Sequence, residues 1–160
     1  MKCKIESCDQ QTAGQSKYCK EHRAESRKRF KEMLVQQSID HAERDNKFKE
    51  LYERACKAGY DAASTANQKL ITVVEELTGQ VYEPFPICGF AWVTIRPGNC
   101  AFANWLKKNN HGKTNSYSGG VQIWISDHNQ SYDRKLAHAK AMEKVLVAAG
   151  IKAYAEGRLD

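Results

Sequence analysis

The segment FAWVTIR, residues 90–96, is the stretch from which the fold of this chain can be worked out. It is rich in aromatic and β-branched residues, which favour strands, and it runs directly into the turn pair Pro97-Gly98. The sequence therefore predicts a β-strand that ends at this turn. The strand lies within residues 80–160, which hold all three Trp and all three Pro of the chain.

A helix and a second strand are predicted after this turn. Asn99 can cap a helix, because a side-chain oxygen at that position accepts a hydrogen bond from a free backbone N–H. Three apolar residues of this helix share one face: Phe102, Trp105 and Leu106. Further on, the segment VQIWIS, residues 121–126, alternates apolar and polar positions and predicts a half-buried strand.

A longer amphipathic helix and a closing strand complete the pattern. Asn129 or Ser131 can cap this helix, and Gly150 ends it. Its inward positions are Leu136, Ala139, Met142, Val145, Leu146 and Ala149. The segment 151–155 then predicts the last strand. The order β-α-β-α-β in residues 80–160 indicates a small domain of sheet and helices, and the whole chain belongs to the α+β class.

Residues 23–79 are predicted to be a helical connector. Up to about residue 66 the segment is almost free of Gly and Pro and rich in Ala, Glu, Lys, Arg and Gln, which favour helix. A sustained coiled coil is not predicted, because polar residues occupy seam positions: Gln37, His41 and Arg44. We expect a long exposed helix with a break near residues 38–40 and an end at Gly59 or Ser64.

Residues 1–22 are predicted to form a zinc-binding module. Four potential ligands occur as two close pairs, C-x4-C and C-x2-H, separated by ten residues: Cys3, Cys8, Cys19 and His22. Zinc prefers four such sulfur and nitrogen ligands in a tetrahedron, and short-spaced pairs on tight turns supply them. The segment has too few apolar residues for a core, so metal binding would supply its folding energy. The alternative is four unrelated side chains on an unstructured segment.

The segments CKIESCD (residues 3–9) and KYCKEHR (residues 17–23) carry a resemblance to a known class of zinc module. This stretch resembles the compact treble-clef or knuckle-like fingers of phage-encoded proteins. Such fingers often accompany DNA-binding or nuclease modules, so the resemblance implies a role on nucleic acid.

The charge distribution also favours nucleic acid as a partner. Residues 1–31 hold nine Lys and Arg against four Asp and Glu, and so account for most of the net charge of +6. On a helix after the finger, one stripe of cations can neutralise backbone phosphates. We predict a nucleic-acid-binding surface formed by Arg23, Arg27, Lys28 and Lys31. The alternative is a solvated helix on which Glu21, Glu25 and Glu32 form local ion pairs.

Residues 87–160 carry a second resemblance. The motifs CGFAWV (88–93), RPGN (96–99) and GGVQIW (119–124), with GIKAYA (150–155), are similar to a widespread group of small phage proteins of unassigned function. The resemblance implies a viral origin and a compact domain, but no activity.

Two further functions remain open at this stage. A host-takeover or anti-defence factor would bind a host protein, with exposed aromatic residues among Trp92, Trp105, Trp124 and Tyr132. An enzyme would use the Asp127-His128 segment at the end of a strand, where loops present side chains to a cleft. The alternative is that Asp127 and Asn129 serve only as turn and capping residues for the next helix.

The expected location is the cytoplasm, which would be the host cytoplasm for a viral protein. The first residues carry charges and a cysteine instead of an apolar secretion signal, and no apolar run approaches the length of a membrane span. A reducing compartment makes metal ligands or buried thiols the expected roles of the six cysteines. Cys56, Cys88 and Cys100 have no ligand spacing and are predicted to be small buried apolar residues.

Overall fold

The computed structural model describes residues 2–5 and 7–160. It combines helices and strands and confirms the α+β class. The helices are α1 (Lys20–Thr65), α2 (Ala101–Lys108) and α3 (Tyr132–Ala148). The strands are β1 (Leu70–Ile71), β2 (Phe85–Pro86), β3 (Gly89–Ile95), β4 (Lys113–Thr114), β5 (Val121–Trp124) and β6 (Ala153–Leu159). The chain forms two compact units, one up to Asp45 and one from Asn46 to Asp160.

The first unit consists of a short turn-rich segment followed by the beginning of α1. In the turn-rich segment Lys2 and Gln11 form an antiparallel bridge. The backbone N–H of Cys3 donates to the carbonyl of Gln10 at 3.1 Å, which closes this turn. From residue 24 to residue 44, every side chain of α1 is exposed.

α1 is one continuous helix of 46 residues, so the predicted break near residues 38–40 is wrong. No Gly or Pro occurs between residues 20 and 58, and nothing else in this stretch forces the backbone out of helical geometry. The helix also passes Gly59 and ends at Thr65. The hydroxyls of Ser64 and Thr65 donate back to the carbonyl of Asp61 in this last turn.

The second unit contains a four-stranded antiparallel sheet in the order β4-β5-β3-β6. Alternate residues of β3 point to one face and are fully buried: Ala91, Val93 and Ile95. They pack in one apolar core with α2 and α3, which bury Phe102, Leu106, Ala139, Met142 and Leu146. The sheet thus has one face covered by helices, and Trp92 and Trp124 lie on the opposite face.

The part of α1 after Asp45 belongs to the same core. Leu51 and Ala55, one helical turn apart, are buried in it. Phe48 packs edge-to-face on Phe102 with ring centroids 5.4 Å apart, and Tyr52 contacts Trp105 at 5.9 Å. The division into domains at residues 1–22, 23–79 and 80–160 stays a prediction, but this part of the connector supplies core residues to the sheet unit.

Several local predictions need correction. Cys100, not Asn99, is the N-cap of α2, because its Sγ accepts the N–H of Ala103. The last strand occupies 153–159 instead of 151–155, since the turn after α3 at residues 149–150 is followed by two residues outside the ladder. Cys56, Cys88 and Cys100 are half-buried instead of fully buried, and Cys56 and Cys100 pack against the apolar core. Ser131 is confirmed as the cap of α3, with its hydroxyl accepting the N–H of Arg134.

β1 and β2 form a small antiparallel hairpin that the sequence did not predict. It is unusual in its exposure. Eight apolar or aromatic side chains of this hairpin are exposed: Leu70, Ile71, Val73, Val74, Leu77, Val81, Tyr82 and Phe85.

Candidate metal centre

The structure brings the four predicted ligands together. The Sγ atoms of Cys3, Cys8 and Cys19 and a ring nitrogen of His22 all lie within 4.8 Å of one another. Cys8 Sγ is 3.9 Å from Cys19 Sγ, and His22 Nδ1 is 3.4 Å from Cys3 Sγ and 3.2 Å from Cys19 Sγ. In a tetrahedral site with metal–sulfur bonds of about 2.3 Å, neighbouring sulfurs lie about 3.8 Å apart. The four side chains therefore have the separations of a metal site and could hold a metal ion.

Local backbone structure places each ligand. Cys8 closes a short turn in which its N–H donates to the carbonyl of Ile5 at 3.0 Å. Cys19 directly precedes α1, so His22 lies within the first turn of the helix, close to Cys19. The backbone N–H of Cys19 donates to Cys3 Sγ, and that of His22 donates to Cys19 Sγ, both at 3.5 Å. Such N–H···S bonds orient sulfur ligands and stabilise their negative charge.

Burial in the turn-rich segment is confined to the ligand group. Among residues 2–5 and 7–19, Cys3 and Cys19 are the buried residues, at 8% and 1% exposure. No apolar side chain in this part of the described chain forms a core. The segment accordingly has nothing but the ligand group around which to fold.

The thiols of Cys3 and Cys8 differ in their pKa values. Hydrogen bonds from the backbone N–H groups of Ile5 and Cys19 lower the pKa of Cys3 to about 6. A hydrogen bond from the backbone of Gln10 lowers the pKa of Cys8, but desolvation and the neighbouring Cys19 and Cys3 thiols outweigh it, so this pKa is raised. One sulfur of the group thus favours the thiolate form, which is the form that binds a metal.

The predicted cationic surface lies on the first turns of α1. Because α1 is continuous from Lys20, Arg23, Arg27 and Lys31 are spaced four residues apart and share one face. Arg27, Lys28 and Lys31 are exposed, and none of them has an ion-pair partner among the residues that the structure describes. Arg23 differs, because it is half-buried and its Nε has no hydrogen-bond acceptor within the described chain.

Two of the three acidic residues near this face have partners, and the pair of Glu25 with Arg29 is one of the local ion pairs that the alternative interpretation expects. Glu25 pairs with Arg29 at 2.6 Å, and Glu21 accepts a hydrogen bond from Gln10 at 2.8 Å. Glu21 and Glu25 therefore do not neutralise Arg27 or Lys31.

The Asp127-His128 segment is held by two residues that the sequence analysis missed. Asp127 accepts a hydrogen bond from the Tyr60 hydroxyl at 2.8 Å, and a ring nitrogen of His128 lies 2.9 Å from one of His138. Burial lowers the pKa of His138 to about 4 and also lowers the pKa of His128. The position of His138 could have been found, because it lies four residues before Met142 on the inward face of α3.

The four aromatic residues predicted as possible partner contacts differ in their exposure. Trp105 is buried at 6% exposure in the core, so it is not available to a partner. Trp124 is 47% exposed. Trp92 and Tyr132 are half-buried.

No family model, curated protein or solved structure matches this chain. Within residues 2–5 and 7–160, none of the helices is both long enough and apolar enough to span a membrane. The site is therefore defined by its own geometry, as a group of three cysteines and one histidine that could bind a metal.

Proposed function

We propose that this chain is a phage-type zinc-finger protein that binds nucleic acid through its zinc module and the basic helix that follows. The observation that carries the proposal is the position of the four-ligand group at the start of α1, directly before Arg27, Lys28 and Lys31, which have no ion-pair partner within the described part of the chain. Binding would act by neutralising phosphates and would be largely independent of sequence. The phage origin rests on the resemblance of both ends of the chain to phage proteins.

Zinc is the metal that this ligand set fits best. Three sulfurs and one imidazole are soft to borderline ligands, which disfavour Mg²⁺ and Ca²⁺. Four ligands at the separations of a tetrahedron correspond to a closed, structural site. The absence of apolar burial in the described residues before Lys20 gives the metal a structural purpose, since its binding would order this segment.

Metal content tests the first half of the proposal. Protein purified without chelator should contain about one zinc per chain, and Cys19→Ser should lose it, because a serine hydroxyl is a poor zinc ligand. Cys56→Ser is the matched control, since Cys56 lies in α1 outside the ligand group and should leave the metal in place. Wild-type protein without zinc, or Cys19→Ser protein that keeps it, would refute the site.

Salt-dependent binding to duplex DNA tests the second half. Replacing Arg27 and Lys31 by Gln should weaken binding and flatten the slope of log affinity against log salt by roughly 1.8, at about 0.9 for each lost phosphate contact. The matched control replaces Lys47 and Lys57, which are also exposed on α1 and remove the same charge. Equal slopes for the two double variants would show that only net charge matters and would reject this helix face as the contact surface.

The exposed hairpin of β1 and β2 favours a second candidate function, binding of a host protein. Exposed apolar side chains that are contiguous in a small element commonly mark an interaction site. Leu77, fully exposed at its tip, is the natural place for a photo-crosslinking residue, and Glu76 is the matched position. Discrete adducts with a host protein from position 77, absent from position 76, would support this function. The same adducts from both positions, or none from either, would exclude it.

A further inference from the structure

The face of the sheet opposite the helices carries a row of aromatic rings. Trp92 of β3 and Trp124 of β5 are paired across the strands and stack, with ring centroids 4.9 Å apart and planes at 28°. Phe90 lies against Trp124 at 6.3 Å. Tyr154 of β6 pairs with Thr94 and so lies on the same face. Trp124 and Tyr154 are both 47% exposed, so their rings are open to a ligand.

The two indole rings, of Trp92 and Trp124, are held by hydrogen bonds. The indole N–H of Trp92 donates to Glu156 at 2.8 Å, and Thr94 donates to the same carboxylate. The indole N–H of Trp124 donates to Gln122 at 3.3 Å. Side chains held in this way lose little conformational entropy on binding.

Cations surround the rings. Strand register places Lys113 beside Gln122 and Arg158 beside Phe90 on this face. Arg96 and Lys152 are joined by a backbone hydrogen bond at the end of β3, and both line a hollow with Tyr154. The registered strand pairs on this face thus hold two cations, Lys113 and Arg158, and one carboxylate, Glu156, which already accepts two hydrogen bonds. Arg96 and Lys152 lie one residue beyond the register at one end, and Asp160 lies one residue beyond it at the other.

A polar hollow next to Trp124 has groups that could hydrogen-bond the edge of a flat ring. It has a volume of about 450 Å³, within the range of small-ligand sites. Its lining includes Asn110, Lys113, Gln122 and Ser126, whose amide, ammonium and hydroxyl groups can hydrogen-bond the edge of a base.

We infer that this sheet face, with Trp124 and Tyr154 as its open rings, is a second binding surface that stacks the bases of a single-stranded nucleic acid. Stacked rings supply flat apolar contact for bases, and the surrounding cations supply attraction for phosphates, which is the combination that single strands require. From strand spacing and rise, the backbone positions of Trp124 and Tyr154 lie about 12 Å apart, so each ring can take a different base of one strand. A duplex cannot use the rings, because its bases are already stacked. The surface lies in the second unit and goes beyond the proposed function, which it does not require.

Tryptophan fluorescence of the full-length chain tests this inference. The probes are oligonucleotides of about 12 nucleotides, oligo-dT and oligo-U, which distinguish DNA from RNA, together with a duplex of the same length. Both single strands, or one of them, should quench the fluorescence of the wild-type protein. Because the Trp124 variants also remove a fluorescent reporter, their affinity is measured by the anisotropy of an end-labelled oligonucleotide. Trp124→Ala should weaken binding about tenfold or more, and Trp124→Phe, which keeps a ring, should restore most of it. Lys152→Gln should flatten the salt slope by about 0.7.

Matched variants separate this surface from the basic helix. Val147→Ala removes an exposed apolar side chain of α3 and should leave single-strand binding unchanged. Replacing Arg27 and Lys31 by Gln should reduce duplex binding and leave the single-strand effect of Trp124→Ala intact. If the Trp124→Ala protein is less stable than the wild type, the Tyr154→Ala variant tests the loss of a ring at the other open position. Single-strand binding that is unaffected by either ring variant would overturn the inference. A second outcome would also overturn it: the wild-type protein self-associates, Trp124→Ala makes it monomeric, and no oligonucleotide quenches the wild-type fluorescence.

Discussion

Replacing Gly59 by Ala should destabilise the second unit, although Ala is the better helix former. The Cβ of an alanine at this position would lie 2.2 Å from Cδ2 and 2.3 Å from Nε2 of His138. The ring of His138 is 3% exposed, packs against Tyr60 and lies within hydrogen-bonding distance of His128, so it has no free space into which to move.

The expected magnitude follows from two opposed effects. A Gly→Ala change inside a helix stabilises by about 1 kcal/mol. Overpacking a buried site costs typically about 1–3 kcal/mol, and displacing the ring also sacrifices the contact with His128, a hydrogen bond worth about 1 kcal/mol. We therefore expect a net loss of about 1–3 kcal/mol in the free energy of unfolding.

Urea unfolding followed by tryptophan fluorescence measures this loss, because all three Trp lie in the second unit. The sign of the effect should reverse in a His138→Ala background, where the space is open and the substitution should stabilise by up to about 1 kcal/mol. A Gly59→Ala effect of the same sign and size in both backgrounds would refute the packing of Gly59 on His138.

Two further predictions concern the stability of the same unit. Because burial lowers the pKa of His138 to about 4, below the 6.5 of an unfolded histidine, the folded unit keeps the ring neutral. Stability should be fully present above about pH 6.5 and fall by at most about 3 kcal/mol as the pH approaches 4. His138→Gln should flatten this dependence in urea titrations, and an unchanged profile would contradict it. A fragment of residues 46–160 should unfold cooperatively, whereas residues 80–160, which lack the buried Leu51 and Ala55, should be less stable by about 2–5 kcal/mol or unfolded. Equal urea midpoints for the two fragments would show that α1 adds nothing to the core.

The alternation of helices and strands after residue 88 could be predicted because its signals are local. Aromatic and β-branched composition identified β3, and apolar periodicity identified α2, β5 and α3. Ser131 is one of the two caps that the sequence offered for α3. The sequence offers Gly59 or Ser64 as the end of α1, and the helix ends at Thr65, directly after Ser64. Gly59 does not end the helix, since the space left by its missing side chain is filled by His138 of α3. No pattern within α1 contains that information.

The candidate metal site and the aromatic sheet face also differ in how far the sequence predicts them. The spacing of the Cys and His residues is enough to identify the candidate metal site, because the ligands of such sites come in close pairs along the chain. The aromatic sheet face could not be found from residue spacing. Trp92 and Trp124 meet only through the register of β3 with β5, and the sequence does not fix strand pairing. The exposure of Trp124 and the burial of Trp105 likewise follow from which sheet face the helices cover.

The two units draw their stability from different sources, and this provides a test that joins both proposals. The ligand segment has no apolar core in its described residues. Removing the metal with a chelator should therefore unfold this segment and loosen the start of α1. The second unit has an apolar core of its own and contains no residue of the ligand group, so its sheet face should be unaffected. Chelated protein should then lose duplex binding and keep the quenching of tryptophan fluorescence by oligo-dT or oligo-U. Loss of both activities on chelation would mean that the sheet face depends on the zinc module, and loss of neither would mean that the basic helix binds without it.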